Sequence, residues 1–152
     1  MDASYLQSLH TLTADYQVLY QKLRAYHWMV TGPLFFGLHE QFEGLYIETA
    51  EKVDELAERL VAAGSRPPLT LAEATSATRL NEASLPAGAE EMVASIVSDY
   101  EKLDGWLGEV ADGAEAAGDT TTFNLVDGFR DGQKKTAWML RAFLGGPAPV
   151  RV

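Results

Sequence analysis

The sequence predicts an all-α protein: four long helices packed as a bundle, with one short extra helix in the long connection between the second and third. Three observations carry that expectation. Apolar residues recur at three- and four-residue spacing along most of the chain, and no stretch sustains the two-residue alternation of a strand. Glycine and proline gather at a few places and leave long uninterrupted stretches between them. At 152 residues the chain fits one domain, 1–152, large enough to bury about 70% of its unfolded surface without staples.

The first helix is expected from about Ser4 to Val30, with Leu6, Leu9, Leu12, Tyr16, Leu19, Leu23, Tyr26 and Val30 on one stripe. Thr31-Gly32-Pro33 ends it, because proline restricts the residue before it and glycine leaves the helix readily. The second runs from about Phe36 to Ala63 and is closed by Gly64-Ser65-Arg66-Pro67-Pro68. A short helix is expected near Leu71–Thr75. The third long helix spans roughly Ala89–Ala111, entered through Pro86-Ala87-Gly88, and a Gly113–Asp119 turn leads to the fourth, about Thr120–Leu144. Gly145-Gly146-Pro147 stops it. Four long helices with one long central connection describe a ferritin-like four-helix bundle. Gly105, Gly108, Gly128 and Gly132 each cost up to about 1 kcal/mol relative to alanine in a helix, which points to close helix contacts at those positions.

Composition narrows the function. With no cysteine, disulfides, zinc–thiolate sites and thiol catalysis are excluded. A cytoplasmic location is the expectation: no basic-plus-apolar leader is present, and no apolar run approaches the roughly 20 residues of a membrane span. The formal charge of −10 argues against direct binding to nucleic-acid phosphate, which needs clustered Lys and Arg. Lys134-Lys135 is the nearest approach to such a cluster. An acidic surface suits solubility in a large assembly, attraction of cations toward a pore, or a salty habitat, and composition does not separate these.

The second helix carries two stripes. Leu38, Phe42, Leu45, Thr49, Val53, Leu56 and Leu60 form the core side. Roughly 130° around lie His39, Glu43, Ile47, Ala50, Asp54, Ala57, Glu58 and Val61, a mixture unlike an ordinary solvated face. Glu48 with Lys52 and Glu55 with Arg59 read as surface i,i+4 pairs. Asp54 and Glu58 have no basic neighbour at such spacing, only each other. Imidazoles beside carboxylates suit a first-row metal such as iron. His27 reaches the His39 end across the Gly32-Pro33 turn, whereas by helix rise His39 and Glu58 lie roughly 28 Å apart. One chain therefore does not gather all these groups. A two-fold interface with antiparallel second helices does, pairing Asp54 and Glu58 of one subunit with His27, His39 and Glu43 of the other. His10 has no such context and reads as an exposed helix residue.

The run His27-Trp28-Met29-Val30-Thr31-Gly32-Pro33, then Phe35-Phe36-Gly37-Leu38-His39-Glu40-Gln41-Phe42, then Val53-Asp54-Glu55-Leu56-Ala57-Glu58-Arg59 strongly resembles the Dps family, the DNA-binding proteins from starved cells or miniferritins. The ending Ala137-Trp138-Met139-Leu140-Arg141-Ala142-Phe143-Leu144 is similar to that family's last helix. The resemblance covers almost the whole chain. It implies a hollow homo-oligomeric shell of twelve subunits, a ferroxidase that oxidises ferrous iron with hydrogen peroxide or dioxygen and stores ferric mineral, protecting against oxidative stress. It implies two irons per inter-subunit centre, with zinc as a competing ion. His27, His39, Asp54 and Glu58 match the ligand positions, and Glu43 stands where aspartate is more usual. Trp28 and Trp138 match aromatics near the centre that donate an electron and limit radical escape. The family's acidic three-fold pore maps to Glu115 and Asp119, with Asn124 where an acid is common and Asp127 nearby.

DNA binding is not expected. Met1–His10 holds no Lys or Arg, the tail after Leu144 has only Arg151, and twelve copies would carry roughly −120. Two other functions stay open on sequence: a shell that condenses or shields DNA, and a structural assembly whose dimer is stapled by zinc or another ion.

Overall fold

The computed structural model describes residues 4–146. The chain forms α1 (Ser4–Met29), α2 (Phe35–Ala62), α3 (Leu71–Ala77), α4 (Ala89–Ala116) and α5 (Thr120–Phe143), and the described residues contain no strand. Helices α1 with α2 and α4 with α5 pack as two hairpins, joined by α1 against α4, with α3 lying on α1. Both tail readings fall partly outside the described residues: Met1, Asp2 and Ala3 at one end and Arg151 at the other.

The expected apolar stripes are the core. On α1, Leu9, Leu12, Tyr16, Leu19, Leu23 and Tyr26 are buried, as are Leu38, Phe42, Leu45, Thr49, Leu56 and Leu60 on α2. Each fully buried leucine contributes about 1.5–3 kcal/mol of transfer free energy. Leu6 and Val53 are only partly covered and pack at the edge of the core.

Helix ends follow from local chemistry. Gly64 (φ +81°) and Gly118 (φ +74°) adopt the left-handed conformation that closes α2 and α4. Ser65 N–H donates to the Leu60 carbonyl and Asp119 N–H to that of Ala114, in matching Schellman motifs. Asp119 then opens the next helix, its carboxylate accepting from the Thr122 amide (3.0 Å) and hydroxyl (2.6 Å).

Three expectations need correction. Helix α4 does not stop near Ala111: it runs through Gly113, where an added Cβ would lie 2.7 Å from the Cβ of Tyr5. Gly113 serves close approach of α1 rather than a turn. Of the four helical glycines expected to mark close contacts, Gly108 alone faces a neighbour, the Arg130 guanidinium at 3.1 Å, while Gly105, Gly128 and Gly132 have nothing within 4 Å. Lys52 is not a surface residue but is 7% exposed, and Arg59 is half-buried, its charge acting on Asp119 and Tyr5.

The connection to α4 is pinned by a carboxylate in the core. Asp15 has no solvent exposure and accepts from the Thr78 hydroxyl, the Arg79 amide and the Arg79 guanidinium (2.6–3.0 Å). The same guanidinium lies 3.9 Å from the Trp106 ring centre. A second buried pair, Lys22 with Asp99 at 2.8 Å, ties α1 to α4.

Candidate metal centre

The chain reverses between α1 and α2 through Gly32, whose φ of +97° suits glycine. The reversal sets His27, in the last turn of α1, against His39, near the start of α2. Their rings stack with centroids 3.8 Å apart and planes 14° from parallel. Nδ1 of His27 lies 2.7 Å from the carbonyl oxygen of His39, and Nδ1 of His39 lies 2.7 Å from that of His27.

This reciprocity fixes the chemistry of both rings. A carbonyl accepts and never donates, so both Nδ1 atoms carry a proton, and in the neutral form of each ring the lone pair lies on Nε2. The His27 carbonyl belongs to the end of α1, where helix carbonyls lack intrahelical donors, so His39 also caps that helix. Phe35 stacks on His39 (4.9 Å, 22°), and Tyr46 meets His27 edge-on (5.3 Å, 74°). His27 is 6% exposed. Glu43 Oε1 stands 4.0 Å from His27 Nε2, with its carboxylate reaching solvent. Two nitrogen lone pairs and a carboxylate on one side of a hairpin are donors suited to a borderline first-row metal, positioned by backbone hydrogen bonds.

The remaining expected ligands are elsewhere. Asp54 and Glu58 are exposed on α2, on the stripe that also leaves Ile47 (51%) and Val61 (62%) uncovered. Neither acid enters an ion pair among the described residues. Within one chain, the described residues bring no three His, Asp or Glu side chains together in a metal-sized group. Trp28 is 54% exposed with the Arg24 guanidinium 4.9 Å from its ring centre, and Trp138 is 52% exposed. Glu115 is exposed in the last turn of α4. Asp119 is engaged: besides Thr122 it accepts from the Tyr5 hydroxyl at 2.9 Å. Partial burial pushes its carboxyl up, but these hydrogen bonds outweigh it and leave the group below the usual aspartate value. His10, read as a plain surface residue, holds Nδ1 2.8 Å from the Arg66 carbonyl and so ties α1 to the end of α2.

Sequence reading missed Phe35 and Tyr46 as the walls of the imidazole pair. Phe35 had a signal in its i,i+4 spacing to His39.

Helical bundle and imidazole–carboxylate hairpin together define a ferritin-like protein, and the ferritin-like domain model matches residues 6–147. Within that class the chain belongs to the Dps family. It is 41% identical over 144 residues to the "DNA protection during starvation protein 2" of Bacillus anthracis, covering 95% of this chain and 99% of that one. A Dps protein from Bacillus brevis has the same fold, with a TM-score of 0.90 at 41% identity over 95% of this chain and 99% of that chain. A Dps protein from Vibrio cholerae O1, described as a member of a broad superfamily of ferritin-like diiron-carboxylate proteins, aligns with a TM-score of 0.90 and 31% identity over 93% and 89% of the two chains. Among the described residues no helix is long and apolar enough to cross a membrane.

Proposed function

We propose that this protein is a ferroxidase and iron store of the cytoplasm, working as a homo-oligomeric shell of twelve subunits. Each centre lies between two subunits. His27, His39 and Glu43 come from one, and Asp54 and Glu58 come from the partner subunit. The observation that carries the reading is the imidazole pair, in which backbone carbonyls hold both Nδ1 protons and leave both Nε2 lone pairs to a metal. The uncovered α2 stripe, with its two acids free of lysine or arginine, supports a partner subunit arriving there.

Iron is the substrate. One Fe²⁺ is held by Asp54, Glu58 and His27 and the second by His39 and Glu43, the carboxylates stabilising the charge that rises on oxidation. Two Fe²⁺ supply the two electrons that cleave the O–O bond of hydrogen peroxide, which leaves as two waters after taking up two protons. Dioxygen is the alternative oxidant. Zinc competes for the same donors. Trp28 and Trp138 serve as nearby one-electron donors. Glu115 lines the ion entry, while Asp119 holds the turn beside it.

Protection of DNA, named for several relatives, is reached here by removing iron and peroxide together. The net charge of −10 opposes contact with phosphate. A gel shift at low and moderate salt tests the competing shell that binds DNA directly. Loss of assembly on chelation would favour a metal-stapled structural dimer instead.

The deciding experiment adds Fe²⁺ anaerobically to apoprotein, injects peroxide and follows iron oxidation in the wild type and Asp54→Ala. Rapid oxidation in the wild type and near-buffer rates in an equally assembled variant are expected. Equal rates, or no acceleration by either, overturn the proposal.

A further inference from the structure

Among the described residues, Lys52 is the one buried cation that neither the metal centre nor a buried carboxylate explains. Helices α2 and α5 make little direct backbone contact, and long polar side chains fill the gap at mid-bundle. Lys52 Nζ lies 3.4 Å from Gln133 Oε1 and 3.6 Å from Glu48 Oε1, with the Phe129 and Tyr16 ring centres at 5.6 and 6.0 Å. The same Gln133 oxygen accepts from the Tyr16 hydroxyl. Because an ammonium only donates, Lys52 and Tyr16 together fix the amide with its oxygen inward, and Gln133 Nε2 is buried without a partner. Helices α1, α2 and α5 thus bring oxygens of Tyr16, Glu48 and Gln133 to one place, and the charge held among them is an ammonium.

That arrangement has the form of a cation site. Ferritin-like di-iron bundles place inward carboxylates and a Glu-x-x-His pair on facing helices. Here the inward-facing pair at that spacing is Thr49-x-x-Lys52. Hard oxygen donors gathered in a low-dielectric interior attract divalent ions, and a fixed positive charge among them repels one at contact distance. A recess of about 220 Å³, lined by Glu48, Glu51, Glu55, Phe129 and Lys52 among others, gives ions a path to the position.

We propose that the Lys52 ammonium is a tethered cation that fills the oxygen-lined centre of each bundle and denies it to iron, so that metal is directed to the subunit interface. The consequence for iron handling rests on the ferroxidase reading above, whereas occupancy of the bundle centre is tested without any oxidation.

The probe is Co²⁺, measured by equilibrium dialysis and by its d–d absorption, in an Asp54→Ala/Glu58→Ala background that lacks the interface acids. Adding Lys52→Glu is expected to gain one Co²⁺ per chain, bound at least about tenfold more tightly than any cobalt in the background. Adding Gln133→Leu is expected to abolish that gain, which locates it in the bundle centre. Lys52→Gln, a milder change that keeps the fold if Lys52→Glu does not, is expected to gain a weaker site. A purely structural lysine would change stability and leave cobalt stoichiometry alone. Folded Lys52 variants that bind no more Co²⁺ than the background, or a gain indifferent to Gln133→Leu, overturn the proposal. Failure of the ferroxidase reading would appear separately, as peroxide-driven oxidation that ignores Asp54→Ala.

Discussion

Replacing His39 by alanine removes more than a proposed metal donor. The His27 carbonyl loses the Nδ1–H that reaches it at 2.7 Å, and an acceptor left without a donor in a part-buried site costs about 1–3 kcal/mol. The ring contacts at 3.8 Å to His27 and 4.9 Å to Phe35 contribute about 0.5–1.5 kcal/mol. Alanine returns about 0.6 kcal/mol through its better helix propensity. The expected net loss is about 1–4 kcal/mol in metal-free protein. Chemical denaturation reads it, with wild type and variant compared at equal chain concentration because the proposed assembly would contribute to apparent stability. ¹⁵N-histidine solid-state NMR of the metal-free wild type provides an independent check, and both imidazoles are expected with the proton on Nδ1. A stability loss under about 0.5 kcal/mol, or an Nδ1 without a proton on either ring, refutes the reciprocal lock.

Asp15→Ala strands the Arg79 guanidinium and amide and frees the α3–α4 connection, so a loss of about 3–5 kcal/mol is expected in denaturant titrations, with or without metal. Gly113→Ala drives a methyl to within 2.7 Å of Tyr5; overpacking of about 1–3 kcal/mol outweighs the propensity gain of about 1 kcal/mol, and calorimetry should show a lowered Tm. Asp119 has a folded-state carboxyl below its ordinary value, so its contribution is present above the unfolded aspartate value and is lost as pH falls through the folded one. Asp119→Asn should therefore flatten the acid limb of the stability–pH curve below about pH 4, and an unchanged limb would contradict that role.

Helix existence and type were legible because the 3.6-residue period of Leu9–Tyr26 and Leu38–Leu60 reports directly which face is buried. What failed required knowledge of a second element. Gly113 looks like a terminator along the chain, and only the approach of Tyr5 gives it another reason. Lys52 satisfies the surface rule with Glu48 four residues earlier, yet the spacing of α2 from α5 draws it inward, and a single helix pattern does not encode interhelical distance. The nearness of His27 and His39 was readable from the Gly32-Pro33 reversal. The two Nδ1–carbonyl bonds were not, since they depend on where two backbone carbonyls point. Helix rise also separated Asp54 and Glu58 from the histidines before any coordinates, and in the structure those acids stand apart and exposed on α2.

His27 and His39 are twelve positions apart, so their contact closes a short loop whose entropic cost is small. A hairpin of α1 and the first turns of α2 holds everything the pair needs, including both carbonyls and the walls of Phe35 and Tyr46. The imidazoles are thus arranged by contacts local in sequence, within a single chain. In the proposed centre, by contrast, Asp54 and Glu58 would be delivered by a bimolecular event. If the proposed centre is right, dilution weakens metal binding while leaving the histidine geometry intact, and metal binding becomes a gauge of how far assembly has proceeded.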